Sequence, residues 1–204
     1  MIRHNSPGWT SSGEITNSDR FSPEEHQKHG SIPKFLRGDQ NLEMAKKVRR
    51  LLDLNIKPQE YVYKDVVQPF LVTEWLAAEQ YPTIIIHRNP VDVAIAMWQR
   101  DWYYPANVTS SGSSLKKQLM TGLYDAQSAL ATVRGVAIQF EHLLKDEVVI
   151  QSALKDLYNS NNIPVVRYLS PAFKEYSKQI DQRKKSNLYE EFNNIYQELK
   201  SPVG

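Results

Sequence analysis

Cysteine is absent from the 204 residues of this chain. That excludes disulfides, thiolate nucleophiles and Cys-based zinc sites, and it leaves the compartment open. No apolar run approaches the roughly 18 residues of a membrane-spanning helix. The N-terminus lacks the apolar core of a secretion signal, so a cytoplasmic protein is expected. Neither sign of charge is in excess. Lys and Arg number 25 against 23 Asp and Glu, a net +2, too little to point to nucleic acid by itself. What is present is ordinary for a soluble globular chain, 41% hydrophobic and 24% charged residues. The length suffices for one domain with a real core. Asn107-Val108-Thr109 fits a glycosylation triplet, a pattern that arises often by chance.

Residues 1–38 are polar, punctuated by Ser, Gly, Pro and Asn, and show no apolar period. They read as an irregular N-terminal arm, with one domain expected over 39–204. Leu42, Ala45, Val48 and Leu52 then mark one face of a helix, and the basic residues among 46–50 read as its solvated side. Residues 61–64 read as a short strand, about 70–80 as a helix, and 83–88 as a second strand. That order predicts a βαβ unit with parallel strands and a right-handed crossover. A long amphipathic helix starting at Leu115 is expected to stop at Gly135, before a third strand at Val136 to Phe140. Asp146 is placed to cap a helix carrying Ile150, Leu154 and Leu157. Asn187 and Glu190 have capping-box spacing before a final helix. The fold class is therefore α/β, a small parallel sheet flanked by helices.

The densest signal is Ile84-Ile85-Ile86-His87-Arg88-Asn89-Pro90-Val91-Asp92. Consecutive β-branched residues suit a strand buried on both faces. Asn89 can cap the next helix, Pro90 suits its first position, and Asp92 favours its positive end. Arg88 thus falls at the carboxyl edge of a strand, beside a helix N-terminus, where anions bind.

This block resembles the "R-[ND]-P-x-D-V" segment of the sulfotransferase family, whose donor is 3′-phosphoadenosine 5′-phosphosulfate. Val62-Tyr63-Lys64-Asp65 followed by Trp75, and Phe140-Glu141-His142-Leu143-Leu144-Lys145-Asp146, are similar to two further blocks of that family. Order and spacing add to the signal over roughly residues 60–165. The resemblance implies a fold like that of P-loop nucleoside triphosphate hydrolases and sulfuryl transfer to a hydroxyl or amine. Arg88 and Asn89 would bind the donor's 3′-phosphate. Lys64 and Asp65 would be catalytic. Arg183 and Lys184 match the basic residues that members present late in the chain. The implied partners are the nucleotide donor and an unidentified acceptor, with no metal and no membrane.

The chain departs from the family in three places. No "P-R-S-G-T" phosphate loop occurs, and Ser11-Ser12-Gly13 lacks its flanking strand, cation and helix. The chain therefore reads as a truncated or diverged member. Ala96 stands where the family has a serine for the 3′-phosphate. Val66 stands where some members have a histidine base and others a proline.

Each residue also has a plain structural reading. Arg88 either binds an anion or pairs with Asp92 or Asp65. Lys64 either stabilises a leaving oxygen or reaches solvent, and Asp65 either acts as a base or caps. Arg100 reads as a solvated helix end and His87 as a packed histidine. Glu141 and His142 diverge on an extended segment. Trp102, Tyr103 and Tyr104 either line an acceptor pocket or belong to the core. Residues 183–185 either meet the donor or form an exposed basic loop. The competing function class is a non-catalytic binding or interaction module. A weaker third is nucleic-acid binding through residues 46–50 and 183–185.

Overall fold

The computed structural model describes residues 10–56, 61–63, 65–79, 81, 83–108, 113–144, 152–153, 155–156 and 170–201. The protein is mixed α/β, mostly helical, with small two-stranded parallel sheets. Contacts divide the chain into two units, one of residues 1–81 with 129–134, the other of 82–128 with 135–204. The cut passes through the stretch expected to form one domain over 39–204.

In the first unit, β1 (Thr10–Gly13) pairs in parallel with β2 (Tyr61–Tyr63), across an irregular register between Ser11 and Gly13. A 3₁₀ turn, Ser18–Arg20, and α1 (Pro23–His29) follow β1. Residues 10–38 are therefore not the irregular arm that composition suggested, and Ile32 and Leu36 belong to the core. A legible signal was present. Ser22 accepts from the Glu25 amide, Glu25 returns a bond to the Ser22 amide, and Pro23 starts the helix.

Helix α2 (Leu42–Asn55) is capped by Asn41 and buries Ala45, Val48, Leu51 and Leu52, the face its spacing predicts. Leu71, Val72 and Trp75 of α3 (Pro69–Glu79) close that core. The Trp75 indole donates to Asp53 at 2.8 Å, which satisfies the ring's one polar atom. Gln68, fully buried, clamps the loop before α2. Its amide donates to the Pro33 carbonyl at 2.5 Å and accepts from the Leu36 amide at 3.2 Å. Those bonds span residues held by no helix or strand, and Phe35 sits there at φ 57°.

In the second unit, β3 (Ile84–His87) pairs with β4 (Val136–Gln139) in parallel and in unbroken register. The stretch 61–88, expected to form one βαβ unit, thus gives its two strands to different sheets. Periodicity names strands but not their partners. Ile85 is buried and Ile86 is half exposed, so β3 is not covered on both faces.

Helix α4 (Pro90–Trp98) starts directly after the β3 edge. A 3₁₀ turn, Tyr104–Val108, precedes α5 (Leu115–Leu130). α5 ends five residues short of Gly135. That glycine serves a close approach instead: a Cβ there would lie 2.5 Å from the Thr83 carbonyl oxygen. The single-turn α6 (Phe140–Leu143) leaves β4. Helices α7 (Ser170–Lys184) and α8 (Asn187–Lys200) complete the unit, and both pack on α4. The cap of α8 is Ser186, which accepts from the Tyr189 amide, one residue before the expected Asn187. The helix expected after Asp146 lies largely outside the described residues, as Asp146 itself does. No helix among the described residues is long and apolar enough to cross a membrane.

Candidate anion site

The β3–α4 junction folds as its residues dictate. Asn89 accepts the Val91 amide at 3.0 Å through its side chain, and Pro90 occupies the first helical position. Asp92, in the first turn, is only 4% exposed at its side chain. A carboxylate buried that deeply needs counter-charge and hydrogen bonds. It has both. Arg88 Nε donates to Asp92 Oδ2 at 2.9 Å and the Arg88 NH2 group donates to the same oxygen. Arg183 NH1, from the end of α7, donates to Asp92 Oδ1 at 2.9 Å.

Two of the expected anion-binding residues, 95 positions apart in sequence, therefore meet on one carboxylate. Two guanidiniums share this one carboxylate. Asp92 takes only part of each guanidinium's donor set. The Arg88 side chain is 25% exposed and that of Arg183 10%. Arg88 also lies 5.0 Å from the Phe140 ring centre and 6.0 Å from that of Tyr176, the latter an exposed residue. Arg183 opens onto a cavity of about 340 Å³ that it shares with Gln99, Gln179, Gln182 and Ser186. Arg88 is not among that cavity's lining residues.

Glu141 is the residue whose role the sequence concealed. Its Oε1 accepts the Asn89 amide at 3.0 Å, which ties the end of β4 to the turn after β3. The helix N-terminus expected to receive an anion is thus partly satisfied from within: Glu141 takes the Asn89 amide and Asn89 takes that of Val91. Anion capacity rests on the arginines. Glu141→Ala should lower stability by about 1–3 kcal/mol, the cost of leaving a partly buried donor unpaired. Urea unfolding measures it, and Glu141→Gln should recover part of the loss. His142 is exposed, and Glu141 is turned to the backbone of residue 89. No acid–base pair forms there.

The remaining candidates take other positions. Asp65 accepts the Thr16 hydroxyl at 2.6 Å and the Val67 and Gln68 amides at 3.0 and 2.7 Å, so it caps the entry to α3. Lys64 lies outside the described residues. Lys184 and Lys185 are exposed, and Lys184 ends α7, where the sequence suggested a basic loop. Arg100 donates to the Ala96 carbonyl at 2.8 Å and sits over the Trp102 ring. Tyr103 donates to Asp101 at 2.6 Å, a bond that pushes the phenol pKa up, and packs on Trp98. Trp102 is half exposed. No cluster of three metal-ligating side chains occurs among the described residues.

Comparison with protein-family models, with curated proteins and with solved structures finds no match to this chain.

Proposed function

We propose that this chain is a sulfotransferase-like protein that binds the phosphate groups of 3′-phosphoadenosine 5′-phosphosulfate on Arg88 and Arg183. The observation that carries the reading is the convergence of these two arginines on Asp92 at the carboxyl edge of β3. A different part of the resemblance points to each of them. Guanidinium donors that Asp92 leaves unused suit a phosphate. In the transfer this reading implies, an acceptor oxygen or nitrogen attacks sulfur and the bond from sulfur to the 5′-phosphate oxygen breaks. The acceptor proton passes to a base, and adenosine 3′,5′-bisphosphate leaves. The arginines hold the nucleotide in place, and positioning is the larger part of such chemistry.

One observation favours a second reading, in which the chain binds the nucleotide without turning it over. Asp65, the base the resemblance suggests, is engaged by three donors as a cap. Calorimetric titration with adenosine 3′,5′-bisphosphate tests what the two readings share. Binding should be detectable, and Arg88→Ala should weaken it by about 1.5–3 kcal/mol, the range for hydrogen bonds to charged groups. An unchanged affinity removes Arg88 from the site. A labelled-donor assay then separates the readings, since sulfate transfer to an acceptor excludes the non-catalytic one.

A further inference from the structure

Asp92 invites a simple account: an acidic residue in a first helical turn, favoured by the helix dipole. Its burial argues for more. A dipole effect is available to an exposed carboxylate, whereas Asp92 is 4% exposed and accepts from Arg88 and Arg183 on its two oxygens. Burial of an ion costs several kcal/mol unless partners offset it. Here the partners come from the end of β3 and the end of α7.

We infer that Asp92 is a positioning residue, which orders Arg88 and Arg183 into a two-point clamp for a phosphate-type dianion. The inference rests on the anion site proposed above. Arginine side chains carry about 2 kcal/mol of rotamer entropy each, and two of them side by side repel. Asp92 removes both costs before a ligand arrives. Asp92 takes only part of each guanidinium's donor set, so donors on both remain for an incoming anion. Tyr176 and Phe140, whose rings are 6.1 Å apart, flank Arg88 and leave its guanidinium few directions to turn.

The inference has a sign that simple charge counting lacks. Removing a negative charge near an anion site should tighten anion binding, but removing this positioner should weaken it. The test is titration of wild type, Asp92→Asn, Asp92→Glu and Asp181→Asn with adenosine 3′,5′-bisphosphate, AMP and inorganic phosphate, with melting curves to confirm folding. Asp181 is an exposed residue of α7 and controls for charge alone.

Asp92→Asn should lose about tenfold or more in affinity for the bisphosphate, the equivalent of one clamp contact. Adenosine 5′-monophosphate should lose less than about threefold, because it lacks the 3′-phosphate that the clamp would hold. Asp181→Asn should be unchanged or slightly tighter. Asp92→Glu, which keeps the charge but shifts it by one methylene, should move in the same direction and covers the case where Asp92→Asn does not fold. Equal or tighter bisphosphate binding by a folded Asp92 variant overturns the inference, as does a uniform loss for both nucleotides. The nucleotide reading fails separately if wild type binds inorganic phosphate but shows no preference for the bisphosphate. The clamp is then judged on phosphate, which Asp92→Asn should lose. A wild type that binds none of the three overturns both.

Discussion

Phe192→Ala should lower the unfolding free energy of the protein by about 3–5 kcal/mol. Phe192 has no exposed surface and meets Trp98 edge to face, with ring centres 5.9 Å apart. Among the described residues of α8 it is the buried one, and α8 packs on α4. Truncation removes the apolar area, leaves a cavity against Trp98, and forfeits the edge-to-face contact. For a chain of this size each kcal/mol shifts Tm by about 2–4 °C, so a melt should move by roughly 10 °C. Phe192→Leu should keep most of the stability. The charged contacts between α5 and α8, Lys116 with Glu191 and Lys117 with Glu198, are largely exposed and should not compensate. A shift of only a degree or two would mean that α8 is held by something other than this ring.

Gly122→Ala tests packing against propensity, with opposite signs. Gly122 lies inside α5, where alanine is favoured over glycine by about 1 kcal/mol. By that argument the substitution stabilises. Yet a Cβ at residue 122 would fall 2.0 Å from the Pro105 carbonyl oxygen and 2.7 Å from its carbonyl carbon. The added methyl group is fixed to the backbone and so is the obstacle, so no side-chain rotation relieves the clash. Pro105 is fully buried within the 3₁₀ turn and has little room to retreat. Overpacking of this kind typically costs about 1–3 kcal/mol and at times more; with two backbones in collision the net loss should reach about 3 kcal/mol or more. Chemical denaturation of the two proteins settles the sign. A more stable Gly122→Ala would mean that α5 and the 3₁₀ turn are not held this close in solution.

Those two contacts mark the limit of what the sequence reveals. Local signals were readable. The spacing of Ala45, Val48 and Leu52 predicted the buried face of α2, and Asn89-Pro90 predicted where α4 begins. The consecutive isoleucines predicted β3. These depend on residues within a turn or two of each other. What failed depends on pairing across the chain. β1 is a polar segment, Thr10-Ser11-Ser12-Gly13, and nothing in its composition names β2 as its partner. Helix α7 is mostly charged and polar, with few apolar residues to set a period, so the sequence leaves Arg183 between a contact to the donor and an exposed basic loop. Gly135 looked like a helix stop because the sequence hides its neighbour Thr83.

The candidate site divides in the same way. Arg88 and Asn89 were legible because strand edge, cap and proline are adjacent. Their link to Arg183 was not, because the shared carboxylate belongs to a residue that local rules explain without it. Asp65 is legible as either base or cap; the Val67 and Gln68 amides weight it toward the cap, and the hydroxyl of Thr16, 49 positions upstream, adds a bond the sequence hides.

Asp92 and Arg183 are separated by 91 positions, which has a consequence for how the molecule is made. On a ribosome that adds about 5–20 residues per second, the aspartate emerges roughly 5–20 seconds before its second arginine. Until then its charge has Arg88 alone for company. The newborn helix therefore keeps that side chain wet until α7 and α8 arrive and pack on it.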